Sequence, residues 1–114
     1  MPARDSIVRE PLLAAALAAA PTVERVRAAR IELGPLQESG THRHPCDVVG
    51  LVTSGSIRFQ PEGEPARLLG PGDAFHEPAG ATIAHFDNAL DEEPATFVAF
   101  YLLPPGETEL IEML

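Results

Sequence analysis

The sequence predicts an all-β domain, a sandwich or barrel of short strands, and three observations lead to this prediction. Short runs rich in β-branched and aromatic residues recur at about ten-residue spacing along most of the chain. Glycine and proline clusters separate these runs, and the chain holds 9 glycines and 12 prolines. A chain of 114 residues that is 45% hydrophobic can bury one ordinary core. We therefore expect a single domain over residues 1–114.

Taken in order, the chain begins with an expected N-terminal extension over residues 1–21. Its alanine-rich part, residues 11–20, predicts a short helix or an irregular segment, because Pro11 suits a first helical position. Strands are then predicted over 22–33, 41–44, 47–53, 56–60, 66–69, 74–77, 82–87 and 96–103. Pro104, Pro105 and Gly106 end the last strand, and the apolar residues of 107–114 could cap the fold or form a dimer contact.

Charge and cysteine content narrow the class of partner. The 17 acidic residues exceed the 8 basic ones, which leaves a net charge of -9 and argues against nucleic acid or an anionic membrane as partner. No apolar run reaches the ~18 residues of a membrane span. The single cysteine, Cys46, excludes an internal disulfide framework and fits a reducing compartment, so a cytoplasmic protein is expected.

A pair of histidines is the first candidate for chemistry. His42 and His44 lie two residues apart, and residues i and i+2 of a strand point to the same face. Two imidazoles aimed at one point suit a divalent metal, because neutral nitrogen donors are common ligands of such ions. On these two residues alone, a polar surface pair or a hydrogen-bonded core pair remains an equal alternative.

The residues around this pair resemble the two conserved boxes of the cupin superfamily. Those boxes read roughly G-x5-H-x-H-x3-4-E-x6-G and G-x5-P-x-G-x2-H-x3-N. The matching positions here are His42, His44 and Gly55 in the first box, and Gly72, Pro78, Gly80 and, one residue late, Asn88 in the second. The resemblance covers residues 30–103 and implies a jelly-roll cupin β-barrel with this stretch as its core. It also implies a metal site in the barrel. A site of imidazoles and water suits a divalent transition metal (zinc, iron, nickel or copper).

Two departures from the family pattern affect the expected metal site. The glutamate of the first box would fall at Val48 or Val49, and the histidine of the second box would fall at Ile83. His85 lies two residues beyond Ile83, on the same face of a regular strand, so it is predicted as the third ligand beside His42 and His44. A buried histidine hydrogen-bonded to the backbone is the alternative for His85.

Strand parity also separates the residues that follow the histidine pair. If His42 and His44 point inward, the family pattern implies that the next strand points Val48 inward, and alternation then points Asp47 outward, so Asp47 should not replace the missing glutamate. Weaker candidates for a further ligand are His76, Gln60 and Cys46. A packed, inert thiol is the favoured alternative for Cys46.

The predicted function has two forms. A metal site without its usual carboxylate should bind its metal weakly or stand without it, which favours a binding or sensing protein with a small-molecule ligand in the barrel. The alternative is a metal-dependent enzyme of the dioxygenase or isomerase type, because one fold hosts many functions. A homodimer is expected, since pairing across a two-fold axis covers exposed edge strands.

Overall fold

The computed structural model describes residues 7–17 and 22–114, and these residues form strands and loops without a helix. The nine described strands are β1 Arg25–Leu33, β2 His42–Arg43, β3 Asp47–Ser54, β4 Ile57–Pro61, β5 Arg67–Leu69, β6 Ala74–Glu77, β7 Ile83–Asn88, β8 Ala95–Leu103 and β9 Glu112–Met113. Eight of them match the predicted strands within a few residues at each end, and β9 was not predicted.

Two antiparallel sheets make up the described fold. One has the strand order β1-β8-β3-β6, and the other has the order β5-β4-β7-β2-β9. This arrangement confirms the predicted all-β jelly roll of the cupin type. Residues 11–17, part of the segment predicted as a short helix or irregular, are irregular, and residues 18–20 lie outside the described residues. No helix in the described ranges is long and apolar enough to cross a membrane.

Alternation along the long strands builds the core between the sheets. In β8, buried Phe97, Ala99 and Tyr101 alternate with more exposed residues, as the two-residue period of a strand requires. Four phenylalanine rings, from Phe59, Phe75, Phe86 and Phe97, meet in this core. Their centroids lie 4.7 to 6.1 Å apart with tilted or edge-to-face geometry, the arrangement that aromatic quadrupoles favour.

A bulge in β7 changes which of its side chains reach the core. The register pairs Gln60 with His85 but the next residue of β4, Pro61, with Ile83, so β7 carries one extra residue here. Ile83 and Phe86, three residues apart, are therefore both buried. The expectation that Ile83 and His85 share a face assumed a regular strand, and the bulge breaks that parity.

Candidate metal centre

Three buried side chains form the only group of potential metal ligands found among the described residues. They are His42, His44 and Glu77, with one ligand atom from each lying within 4.8 Å of the others. Their exposed fractions are 3%, 4% and 4%, respectively. Charged or polar groups this deeply buried need partners, so the arrangement calls for a proton or a cation among them.

The two sheets bring these residues together from opposite sides. His42 lies in β2 of the five-stranded sheet, and His44 follows two residues later in the loop after β2. Glu77 ends β6 at the edge of the four-stranded sheet, where Phe75 and Glu77 alternate inward. The group therefore lies between the sheets, at one end of the aromatic core.

Backbone carbonyls orient both imidazole rings. Nδ1 of His42 lies 2.8 Å from the Gly40 carbonyl oxygen, and Nδ1 of His44 lies 2.6 Å from the Leu110 carbonyl oxygen. A carbonyl oxygen only accepts hydrogen bonds, so each Nδ1 carries the proton and donates it. In the neutral rings both Nε2 lone pairs are then free, which is the tautomer that metal-binding histidines adopt.

Both Nε2 atoms point at the Glu77 carboxylate. Nε2 of His44 lies 2.6 Å from Oε2, close enough to hydrogen-bond, whereas Nε2 of His42 lies 3.4 Å from Oε1. That longer contact is an ion pair at most, because Oε1 has no hydrogen-bond partner among the residues described. Two bare imidazole nitrogens facing a carboxylate would repel it, so a proton or a metal ion must lie between them.

The pKa shifts of His42 and Glu77 indicate how these groups interact with a proton when no metal is bound. Burial lowers the pKa of His42, but the contacts with Glu77 and with the Gly40 carbonyl outweigh burial and raise it above its usual value. Burial alone would raise the pKa of Glu77, and the two histidines reverse this and lower it. Both shifts favour a proton held between an imidazole and the Glu77 carboxylate when no metal is bound, and a divalent cation could replace that proton.

An apolar cavity of about 140 Å³ adjoins the three residues. Its walls include Val48, Phe75, Phe86 and Ile111 beside His42, His44 and Glu77. Tyr101 also lines it, with its ring centroid 5.8 Å from that of His44. Burial, followed by the charge of Glu77, raises the pKa of the Tyr101 phenol, so this hydroxyl is neutral at physiological pH.

The structure brings two of the three predicted ligands together and places His85 elsewhere. Nδ1 of His85 lies 2.7 Å from Oδ2 of Asp87, and about a third of its side chain is exposed. The bulge in β7 puts Ile83, and not His85, among the buried residues. His85 as a ligand stays a prediction, and its described contact is with a carboxylate outside the group.

Glu77 was missed because the search for a carboxylate followed the family spacing along β3. Val48 does line the cavity, and its Cα partner across the sheet is Glu77. The acid therefore comes from the neighbouring strand, opposite the position where the first box would supply it. The alternation of Phe75 with Glu77 in β6 was the available signal, since a buried phenylalanine marks the inward face.

The weaker candidates have other contacts. His76 and Asp47 face the opposite side of the same sheet and lie 2.9 Å apart between Nε2 and Oδ1. The side-chain amide of Gln60 donates to the Glu64 carbonyl. Cys46 is buried, and burial, helped by the charge of Asp47, raises the pKa of its thiol to about 11, which fits a packed and inert thiol.

Comparisons with known proteins agree with this architecture. A dimethylsulfoniopropionate lyase of Ruegeria pomeroyi is 41% identical over 39 residues, which are 34% of this chain and 19% of the lyase. The crystal structure of the Ruegeria pomeroyi lyase matches 77% of this chain and 42% of its own, with 22% identity and a TM-score of 0.65. A cupin-like protein of Thermotoga maritima matches over 78% of this chain and 64% of its own, with 24% identity and a TM-score of 0.65.

The chain thus spans less than half of the lyase chain that it matches in structure, and identities of this size establish the fold alone. The family assignment comes from a sequence model of the family described as "Cupin domain", which matches residues 29–101, more than half of the chain. With the two antiparallel sheets and the histidine pair in place, this protein belongs to the cupin family.

Proposed function

We propose that His42, His44 and Glu77 hold a divalent transition metal and that the adjoining cavity binds a small molecule. One observation carries the proposal: the His42 and His44 rings converge on the buried Glu77 carboxylate. Each ring donates its Nδ1–H to a backbone carbonyl, and Oε1 of the carboxylate lacks a described partner. Two imidazoles and one carboxylate suit zinc, iron, nickel or copper, since all four ions take nitrogen and oxygen ligands.

Each residue has a defined part in this proposal. The Gly40 and Leu110 carbonyls keep both rings in the tautomer that offers Nε2. Glu77 supplies the negative charge that two neutral imidazoles lack. A bound metal would supply a Lewis acid to a molecule in the cavity. The carboxylate that was expected to be absent is supplied by β6, which supports tighter binding than the sequence predicted.

The cavity limits the size and character of the small molecule. A volume of about 140 Å³ resembles cavities that hold one benzene ring, so about six non-hydrogen atoms fit. Phe75, Phe86 and Phe97 favour an apolar body, and the metal side favours one polar or anionic end. The ligand we propose is therefore a small amphiphilic molecule that coordinates through its polar end.

A metal-dependent reaction on this molecule is the second candidate function. Three protein ligands facing a cavity leave coordination positions open, as in catalytic zinc and iron sites, whereas structural sites are closed. The short similarity to a lyase, 41% identity over 39 residues, supports this candidate without specifying a substrate. Turnover of a small molecule that binds only the metal-loaded protein would distinguish an enzyme from a binding protein.

We also propose that the chain is a single domain that works as a cytoplasmic homodimer. Apolar side chains are exposed on the described surface, with Val26 at 57% and Phe100 at 40% on neighbouring strands β1 and β8. Faces of this kind are commonly covered in an oligomer. Light scattering at micromolar concentration should give about twice 12.1 kDa, and a species of 12.1 kDa would exclude the dimer.

Metal content provides the direct test of the proposed site. The protein, purified and incubated with zinc or nickel and then desalted, should retain close to one ion per chain. His44→Ala should lose it, because one buried ligand and its orienting contact are gone. His85→Ala is the matched control and should retain the ion. Equal retention in wild type and His44→Ala would contradict the proposal, and loss in His85→Ala would restore His85 as a ligand.

A further inference from the structure

The segment 107–114, which we name the strap, borders the cavity through one residue. Its residue Ile111 lines the cavity and is 44% exposed, so this side chain stands between the interior and solvent. Its strand β9 pairs with β2, with Met113 opposite His42 and Glu112 opposite Arg43. The strap therefore adds the outermost strand of the sheet that carries the two histidines.

The strap also contacts the metal group directly. The Leu110 carbonyl accepts the hydrogen bond from Nδ1 of His44 at 2.6 Å and thereby fixes the ring that faces Glu77. No other described contact holds Nδ1 of His44. If the strap moves away, His44 loses its orienting partner and its tautomer becomes free to change. The closed strap is thus part of the metal site.

An ion pair and a backbone hydrogen bond fasten the end of the strap. Arg43 donates to both carboxylate oxygens of Glu112, at 2.9 and 3.0 Å, in a two-pronged contact. The Leu114 amide donates to the Thr41 carbonyl at 2.9 Å. Arg43 lies between His42 and His44 in the chain, so this fastening joins the strap to the ligand strand itself.

The strap is held more weakly than the strands it covers. Its residues 111–114 are all exposed, and the Arg43 and Glu112 side chains are 44% and 57% exposed. Segments with few buried contacts open at a lower free-energy cost than the core, and exposed ion pairs contribute little. Leu110 packs against the core, so opening of the strap costs this contact, while the contacts among the other core residues can stay in place.

We propose that the strap is a closing element of the cavity and that Arg43 and Glu112 are positioning residues that act on His44 through Leu110. Opening would expose the cavity, admit the metal or a small molecule, and loosen His44. Closing would restore the Leu110 contact and slow release of the metal. This inference rests on the proposed metal site, and it concerns the rate of exchange more than the identity of the ligands.

Charge reversal across the ion pair tests the fastening. In the full chain loaded with zinc, Arg43→Glu and Glu112→Arg should each speed zinc release to a chelator by about two- to fivefold, as an exposed pair allows. The double reversal should return the rate to the wild-type value. Arg58→Glu, at an exposed residue of β4, is the control for net charge and should leave the rate unchanged.

The backbone hydrogen bond offers a second test. Leu114→Pro removes the amide that donates to Thr41 and should speed zinc release by about two- to tenfold, the usual effect of one hydrogen bond. Leu114→Ala keeps that amide and should release zinc at nearly the wild-type rate. The melting temperature of the metal-free variants should change little, because residue 114 is exposed and buries little apolar surface.

The outcomes separate the two proposals. A wild-type protein that retains no zinc would remove the proposed metal site. A wild type that retains zinc, with all variants releasing it at the same rate, would overturn the strap as a closing element. Faster release by the single reversals without recovery in the double reversal would also overturn it, because the effect would then not come from the ion pair.

Discussion

Two histidine–carboxylate pairs lie on opposite faces of the β3–β6 edge of one sheet, and they differ in what surrounds them. On the inner face, His44 contacts Glu77 at 2.6 Å, and on the outer face His76 contacts Asp47 at 2.9 Å. Both carboxylates are buried, and each leaves one oxygen without a described partner. A buried pair with an unpartnered oxygen is therefore not sufficient evidence for a metal site.

The difference is the second imidazole and the cavity. Glu77 faces two rings whose Nδ1 atoms are held by carbonyls, whereas Asp47 faces one ring and the distant Ala79 amide at 3.4 Å. The inner pair also borders a cavity of about 140 Å³. Convergent, preoriented donors beside open space suit a metal that also takes a small molecule, whereas Asp47 is offered a single imidazole.

The largest expected difference follows from removing each carboxylate in turn. Glu77→Gln should weaken zinc affinity by about 100-fold or more. Losing a charged ligand costs more than losing a group that only hydrogen-bonds to a ligand, and the latter already costs about 10- to 100-fold. Asp47→Asn should change zinc affinity less than about threefold, since this residue lies on the other face. Calorimetric titration of both variants checks the comparison. Similar losses in the two variants would place both pairs in one site.

A smaller effect is expected when the carboxylate is moved between strands. Val48 and Glu77 are Cα partners whose side chains both line the cavity. Glu77→Val should abolish tight zinc binding, and adding Val48→Glu to it should restore the affinity to within about tenfold of wild type. Without metal, Val48→Glu alone should lower the melting temperature, because two carboxylates would then be buried side by side. A double variant that binds no better than Glu77→Val would show that position 48 does not reach the ion.

Positions 48 and 77 illustrate which features of the site could be predicted from the sequence. Regular strands have a fixed side-chain period, so the all-β class and the shared face of His42 and His44 followed from spacing, whereas the jelly roll and the inward direction of Val48 followed from the family resemblance. Two features did not follow. The supply of the acid by Glu77 depends on the register between β3 and β6, and the direction of His85 depends on a bulge; both are set by pairing between strands distant in sequence.

The pH should affect the stability of the metal-free protein and of the zinc-bound protein differently. The raised pKa of His42 stabilises the metal-free fold below its usual 6.5, and this stability is lost as pH rises through the folded value. The lowered pKa of Glu77 stabilises the fold above its usual 4.5, and that stability is lost as pH falls through the folded value.

The metal-free protein should therefore reach its highest melting temperature between pH 4.5 and pH 6.5, the usual pKa values of the Glu77 and His42 side chains. With zinc, the optimum should move above pH 6.5, because the ion requires the deprotonated ring. Thermal unfolding across this range, with chelator or with zinc, measures the shift. An optimum that stays in place when zinc is added would contradict replacement of the proton by the metal.

The smallest expected effect is that of the Asp47 charge on the reactivity of the Cys46 thiol. Cys46, with its pKa raised to about 11, should react slowly with iodoacetamide at pH 8 in the folded protein and rapidly after unfolding. Burial is the main cause and the charge of Asp47 the next, so Asp47→Asn should speed the reaction modestly, and Glu77→Gln should not. Equal rates in Asp47→Asn and wild type would show that this charge does not act on the thiol.

The position of Tyr101 has a practical consequence for measuring the binding of a metal or a small molecule. The chain contains no tryptophan and one tyrosine, so its ultraviolet fluorescence comes almost entirely from one ring. That ring lies 5.8 Å from His44 and lines the cavity. A metal ion or a small molecule entering the site would therefore change the emission of a single, known fluorophore, and the unmodified protein carries its own optical reporter of occupancy.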